Sequence, residues 1–255
     1  MNPRYLLAGL LLIGSACQKD AGTPTPGTGT GGSLARFTIA NDFLYVVKAD
    51  GLTAYNLANP NDPQKTQDTP LNFGVETIFP YRNNLFIGTQ TGMYIFGLAN
   101  PAQPQQLSFF QHVQRCDPVV AQGNFAYVTL RGGSGCRFGG PSTLDIIDIS
   151  NLSQPRVLRT YPMQSPHGLG VDGELLFVTE GDQGLKVMDI SNPLDAKLIK
   201  FFTDVRAFDV IPLRNTLLVT AKNGLFQYRY REAVTAPDGT VTPPAIALIS
   251  KLPIE

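Results

Sequence analysis

LGVDGELLFVTEGDQGLKVMDISNPLDAKLIKFF, residues 169–202, decides the fold. Four apolar runs lie in it, at 169–171, 175–179, 185–190 and 197–202. Runs this short suit strands better than helices, and their Val, Ile, Leu and Phe side chains fit a pleated, half-buried surface. Gln183-Gly184 separates the second run from the third, and Asn192-Pro193 the third from the fourth. Glycine supplies the positive φ that a tight hairpin needs, and proline ends a strand because it has no N–H to donate. The stretch therefore predicts four strands in antiparallel succession.

The pattern recurs along the chain. One position of the second strand is held in turn by Tyr45, Phe86, Tyr127, Phe177 and Leu218, at steps of 41, 41, 50 and 41 residues. Asp50-Gly51, Thr91-Gly92 and Asn223-Gly224 repeat the hairpin turn, and the Asn/Pro segments 59–63, 100–104 and 151–155 repeat the loop after strand three. A period of this size means stacked copies of one supersecondary unit. The expectation is an all-β chain, a five-bladed β-propeller of four-stranded antiparallel blades over residues 34–255, with a linear stack of sheets as the alternative. The first run, 36–40, stands where a first strand belongs, and the last, 245–252, where a fourth belongs. No strand is left to share between the first and last blades, so closure is expected from side-chain packing alone.

The third strands carry a more specific signature. Leu144-Asp145-Ile146-Ile147-Asp148-Ile149-Ser150 and Leu185-Lys186-Val187-Met188-Asp189-Ile190-Ser191, each followed by Asn and a proline-containing turn, resemble the LVIVD-repeat family of exported bacterial β-propellers. Repeats three and four match well. Repeats one, two and five depart, with Tyr55-Asn56, Phe96-Gly97 and Tyr228-Arg229 at the Ile-Asp position. The resemblance implies a fold and an exported location. It supplies no catalytic residues.

Residues 1–16 read as a signal peptide, with Arg4 ahead of an apolar run at 5–13 that is too short to span a bilayer. Ile13-Gly14-Ser15-Ala16-Cys17 resembles a bacterial lipoprotein box, which makes Cys17 the expected lipidation site. Gln18-Lys19-Asp20 resembles, in part, the surface-export tag of Bacteroidetes lipoproteins. The rest of 17–33, dominated by Thr, Pro and Gly, cannot bury a core and reads as a flexible tether. These features predict an outer-membrane protein held by its lipid and exposed at the cell surface.

Twenty basic and twenty acidic residues balance, so no net field recruits nucleic acid. Two further cysteines remain, Cys116 and Cys136. In an exported chain they are a disulfide candidate, with two free thiols as the alternative. Cys136 lies in the long hairpin insertion 131–143 of the third repeat, and Cys116 precedes the first strand of the same repeat. In a meander these two places share one end. The same end collects Glu76, Asp117 and His167 at one aligned position, and Arg115 and Arg206 two residues earlier. Such a ring of acids, arginines and one histidine suits a small polar ligand. Solvated loop charges are the alternative.

With two histidines in the chain, a multi-histidine metal centre is excluded, and no cofactor is expected. No Gly-x-Ser-x-Gly or His-Glu-x-x-His motif is present. The function expected is a binding or scaffolding module whose partner is an envelope protein or a small polar ligand. A small hydrolase or isomerase at the channel mouth, and an envelope assembly factor working through blade edges, are the alternatives.

Overall fold

The computed structural model describes residues 32–111, 118–133 and 140–254. Among these residues the chain forms five four-stranded antiparallel sheets, one two-stranded ribbon and a single 3-10 turn at Pro193–Asp195. Blade 1 holds β1 (Phe37–Ala40), β2 (Phe43–Lys48), β3 (Gly51–Asn56) and β4 (Gln64–Pro70). Blade 2 holds β5 (Val75–Tyr81), β6 (Asn84–Thr89), β7 (Gly92–Gly97) and β8 (Gln105–Gln111). Blade 3 holds β9 (Val119–Gln122), β10 (Phe125–Leu130), β11 (Ser142–Asp148) and β12 (Arg156–Met163). Blade 4 holds β13 (Leu169–Asp172), β14 (Leu175–Thr179), β15 (Leu185–Asp189) and β16 (Lys197–Phe202). Blade 5 holds β17 (Ala207–Leu213), β18 (Thr216–Ala221) and β19 (Gly224–Arg231). The ribbon β20 (Val234–Thr235) and β21 (Val241–Thr242) then intervenes before its fourth strand, β22 (Ala245–Leu252). Each sheet is made of one repeat, so the first and last blades share no strand.

The inner strands stand side by side in order, β1 with β5, β5 with β9, β9 with β13 and β13 with β17. Four apolar cores lie between consecutive blades. Tyr45, Val47 and Leu52 of blade 1 meet Ile78, Leu85 and Ile87 of blade 2, and Leu175 and Phe177 of blade 4 meet Val210, Leu217 and Tyr228 of blade 5. In all five blades the ladder between the third and fourth strands slips at the same place, with Thr66, Leu107, Leu158, Ile199 or Ile249 as the extra residue. A bulge of this kind adds twist, and its fivefold recurrence gives the outer edge of each sheet the same turn.

The LVIVD-like residues act as turn formers. Asp148 and Asp189 accept the N–H of Ser150 and Ser191, at 2.9 and 2.8 Å. Asn151 and Asn192 do the same for Ser153 and Leu194. Asn56, which departs from the motif, keeps the same bond to Ala58 N–H at 2.7 Å. The hairpin glycines share one reason to be there: a Cβ on Gly92 would sit 2.5 Å from the Phe110 carbonyl and one on Gly184 2.0 Å from the Phe202 carbonyl, and Gly184 also has φ +133°.

Closure departs from expectation. No fifth core joins blade 5 to blade 1 among the described residues, and β1 and β17 do not pack together as the other inner strands do. What ties the two ends is the segment ahead of β1. Gly32 and Ser33, placed in the tether by composition, are buried.

Candidate functional site

At one end of the molecule the first strands begin and the turns between second and third strands lie. Residues 32–36 cross this mouth and are held by three blades. The Ala35 carbonyl accepts Ile78 N–H of β5 at 2.9 Å, and Arg36 donates to the Val75 and Glu76 carbonyls at 3.0 and 3.2 Å. Ser33 Oγ accepts Leu169 N–H of blade 4 at 2.7 Å and donates to Asp209 of blade 5 at 3.4 Å. The Asp209 carboxylate also accepts the N–H groups of Val210 and Leu34. It fits because Gly168 and Gly32 flank it: a Cβ on either would come within 2.2 Å of a carboxylate oxygen. Burial outweighs these hydrogen bonds and raises the Asp209 pKa to about 6.

Beside this strap lies a cavity of about 230 Å³ lined by Leu34, Glu76, Pro118, Arg131, Pro166 and His167. Its walls are rigid for identifiable reasons. The His167 backbone N–H bonds to the Thr179 carbonyl at 2.8 Å, and its carbonyl accepts Thr129 Oγ1 at 3.1 Å. Its ring stands edge-on to Phe208 at 5.0 Å, with Nδ1 2.8 Å from the Ser165 carbonyl. Burial lowers the His167 pKa; the hydrogen bond to the Ser165 carbonyl opposes that shift, and the Arg131 cation adds to it. The ring is therefore neutral near pH 7, and the proton belongs on Nδ1, facing the carbonyl. Behind it, the fully buried Glu180 accepts the N–H groups of Gln164 and Ser165, at 3.1 and 2.5 Å, and pairs with Lys186. That pair fixes the loop that aims His167. The Arg131 guanidinium is half buried, and burial lowers its pKa while nearby Glu76 opposes the shift. Glu76 accepts Gln90 Nε2 at 3.2 Å.

Of the residues expected at the mouth, Glu76 and His167 line the cavity together. Arg206 is exposed, 3.8 Å from Asp182 of the neighbouring turn, and does not line it. Arg115 and Asp117 lie outside the described residues, as do Cys17, Cys116 and Cys136. Sequence reasoning missed the site roles of Arg131, Glu180 and the strap. Arg131 had a usable signal: it is the first residue after β10, at the same end as His167. Among the described residues no cluster of His, Cys, Asp and Glu is arranged to hold a metal ion.

Residues 116–162 and 167–202 match the LVIVD repeat. The chain is a β-propeller in which two of the five repeats match the LVIVD repeat. The matched residues are repeats three and four, the two whose third strands carry the full motif. No curated protein matches the chain. Solved structures do. A functionally unknown protein from Desulfotomaculum acetoxidans superposes with a TM-score of 0.63 at 11% identity, over 83% of this chain and 68% of that one. A protein from Lactobacillus plantarum gives 0.62 at 13% identity, over 82% and 67%. BamB from Moraxella catarrhalis gives 0.51 at 10% identity, over 81% and 59%. At such identities the likeness is one of fold.

Proposed function

We propose that this LVIVD propeller is a binding module of the bacterial envelope, tethered to the outer membrane through a lipid on Cys17, and that the mouth cavity takes a small polar ligand with an anionic group. The observation that carries the reading is the convergence of Arg131, Glu76 and His167 from three successive blades on one cavity walled by Leu34, Pro118 and Pro166. A mostly apolar concavity with a few fixed polar groups is the usual form of a small-molecule site. A half-buried guanidinium is the group best suited to a carboxylate or phosphate, because a charge-assisted pair gains strength where water is scarce. Neutral His167 offers Nε2 as an acceptor, and Glu76 offers a carboxylate to a donor on the same ligand.

The reading is one of binding: the polar groups of the lining are a guanidinium, a carboxylate and an imidazole, which together suit an anionic ligand with a donor group. The test is calorimetric titration of the full chain with a panel of small carboxylates and phosphates, beside Arg131→Met. The expected result is a ligand whose affinity falls at least tenfold in the variant, while the variant's melting point stays within a few degrees of the wild type. Equal affinity in both proteins sinks the assignment of Arg131.

A further inference from the structure

Residues 32–36 are held across the mouth mainly by hydrogen bonds. No side chain among them belongs to any of the four apolar cores. Leu34, the large apolar residue of the strap, is 40% exposed and lines the cavity. Nor does a core stand behind the strap. Phe37 of blade 1 is 62% exposed and Leu213 of blade 5 45% exposed, on the two blades that share no core among the described residues. Lifting 32–35 breaks the bonds of Ser33 with Leu169 and Asp209, of Leu34 with Asp209 and of Ala35 with Ile78, and it uncovers no apolar core. The pivot is Arg36, whose carbonyl accepts Val47 N–H at 2.9 Å and so continues the ladder between β1 and β2.

We infer that the strap is a lid on the mouth cavity, closed in acid and released as the pH rises, with Asp209 as its latch. The latch is a carboxylate in a slot without a counter-cation. It meets Gly32, Ser33 and Leu34 of the strap, Gly168 of blade 4 and its own neighbour Val210 on blade 5. The charged groups on those elements are engaged elsewhere. Arg36 donates to the Val75 and Glu76 carbonyls, the His167 ring faces the Ser165 carbonyl, and Arg206 stands beside Asp182. Lys222, just past β18, is exposed. The loss of hydration therefore outweighs the three neutral donors, Val210, Ser33 and Leu34, and holds the Asp209 pKa at about 6. Lifting the strap removes the Gly32 wall and lets water reach the carboxylate, whose pKa then returns toward the ordinary value near 3.9. The closed lid thus holds the proton more tightly than the open one. Its grip is complete below pH 3.9 and weakens as pH rises through 6, by about a hundredfold in total. An open lid takes the Leu34 wall away from the cavity, so access to Glu76, Arg131 and His167 follows the state of Asp209. This control goes beyond the binding reading and does not depend on what the cavity binds.

The test is hydrogen exchange of the ligand-free full chain, read residue by residue and corrected for the intrinsic effect of pH. The Leu34 amide should exchange faster than the amides of β14 at every pH, the sign of a local opening. Its protection should fall about tenfold or more between pH 4.5 and 7.5. Asp209→Asn has no proton to lose and should abolish that fall. Ser33→Ala, the second variant, removes the bonds to Leu169 and Asp209 and should lower Leu34 protection about fivefold at both ends of the range. The strap adds nothing to a core, so this variant should melt within a few degrees of wild type. Access to the cavity is read separately. At pH 7.5 diethyl pyrocarbonate should modify His167, identified by peptide mapping, several-fold more slowly in Asp209→Asn than in the wild type. Four results overturn the inference: a Leu34 amide that exchanges no faster than β14, a pH dependence that survives Asp209→Asn, protection unchanged in Ser33→Ala, or equal His167 modification in the two proteins. None of these measurements uses a ligand, so a cavity that binds no acid and a strap that does not open are separate results.

Discussion

Asp209 keeps a carboxylate where water is scarce, and its cost has a direction in pH. Its pKa in the folded protein is about 6, above the ordinary carboxylate value near 3.9. The folded state thus holds the proton more tightly than the unfolded chain. The stabilisation this gives is complete below pH 3.9 and is lost as pH rises through 6, by about 3 kcal/mol at most. His167 works the other way: its lowered pKa contributes stability above the ordinary histidine value that is lost as pH falls. Asp209→Asn separates the two. Melting curves between pH 4.5 and 7.5 should show the variant without the acidic-side gain of the wild type and relatively more stable at the alkaline end. Parallel curves for the two proteins would refute the assignment. Glu76 and His167 were legible as site residues because the repeat aligns them at one end of every blade. Asp209 as a clasp was not legible, because its partners Ser33 and Leu34 come from the segment ahead of β1, and no periodicity encodes an approach across the mouth.

At the scale of the blade, burial predicts sharply different costs for similar changes. Phe177 has no exposed surface and lies in the core between blades 4 and 5. Phe177→Ala should cost about 3–5 kcal/mol. Phe37, on the open face of blade 1, should cost less than about 1 kcal/mol when cut to Ala, since it has little apolar contact to lose. Urea unfolding of the two variants checks the contrast; equal losses would mean that the open face is covered in solution. The four-strand unit was readable because a period near 41 residues and the Asn/Pro loops are local signals. The shared bulge was not, since the extra residue, whether Thr66 or Leu107 or Ile199, is ordinary in type. Nor were the inner hairpins, where Arg82 and Arg214 take positive φ at 52° and 46° without glycine. The expectation of packed closure failed for a related reason: a repeat shows that blades exist, and only the angle between them decides whether the ring meets.

For the whole molecule, the strap sets the direction from which a lipid on Cys17 would pull. The chain emerges at the mouth, beside the cavity that Leu34 helps to line. Fourteen residues separate Cys17 from Gly32, enough for a reach of at most about 50 Å. A lipid on Cys17 would therefore keep the cavity end turned toward the membrane and the opposite end outward. A bridge between Cys116 and Cys136 would close the third repeat over the same end. Non-reducing peptide mapping of protein from the envelope should find the pair joined, and quantitative labelling of both thiols would exclude it. The anchor has its own test. Among the described residues no helix is long and apolar enough to cross a membrane, and the chain's balanced charge gives no general attraction to anionic lipid. On the proposed reading, a lipid on Cys17 would be the element that holds the protein to the bilayer. Cys17→Ala should move the protein from the membrane pellet to the soluble fraction after salt and carbonate washing, with its melting point unchanged. A variant that stays in the pellet would show that a surface of the propeller binds the membrane directly, and the open faces of blades 1 and 5 would be the first place to look.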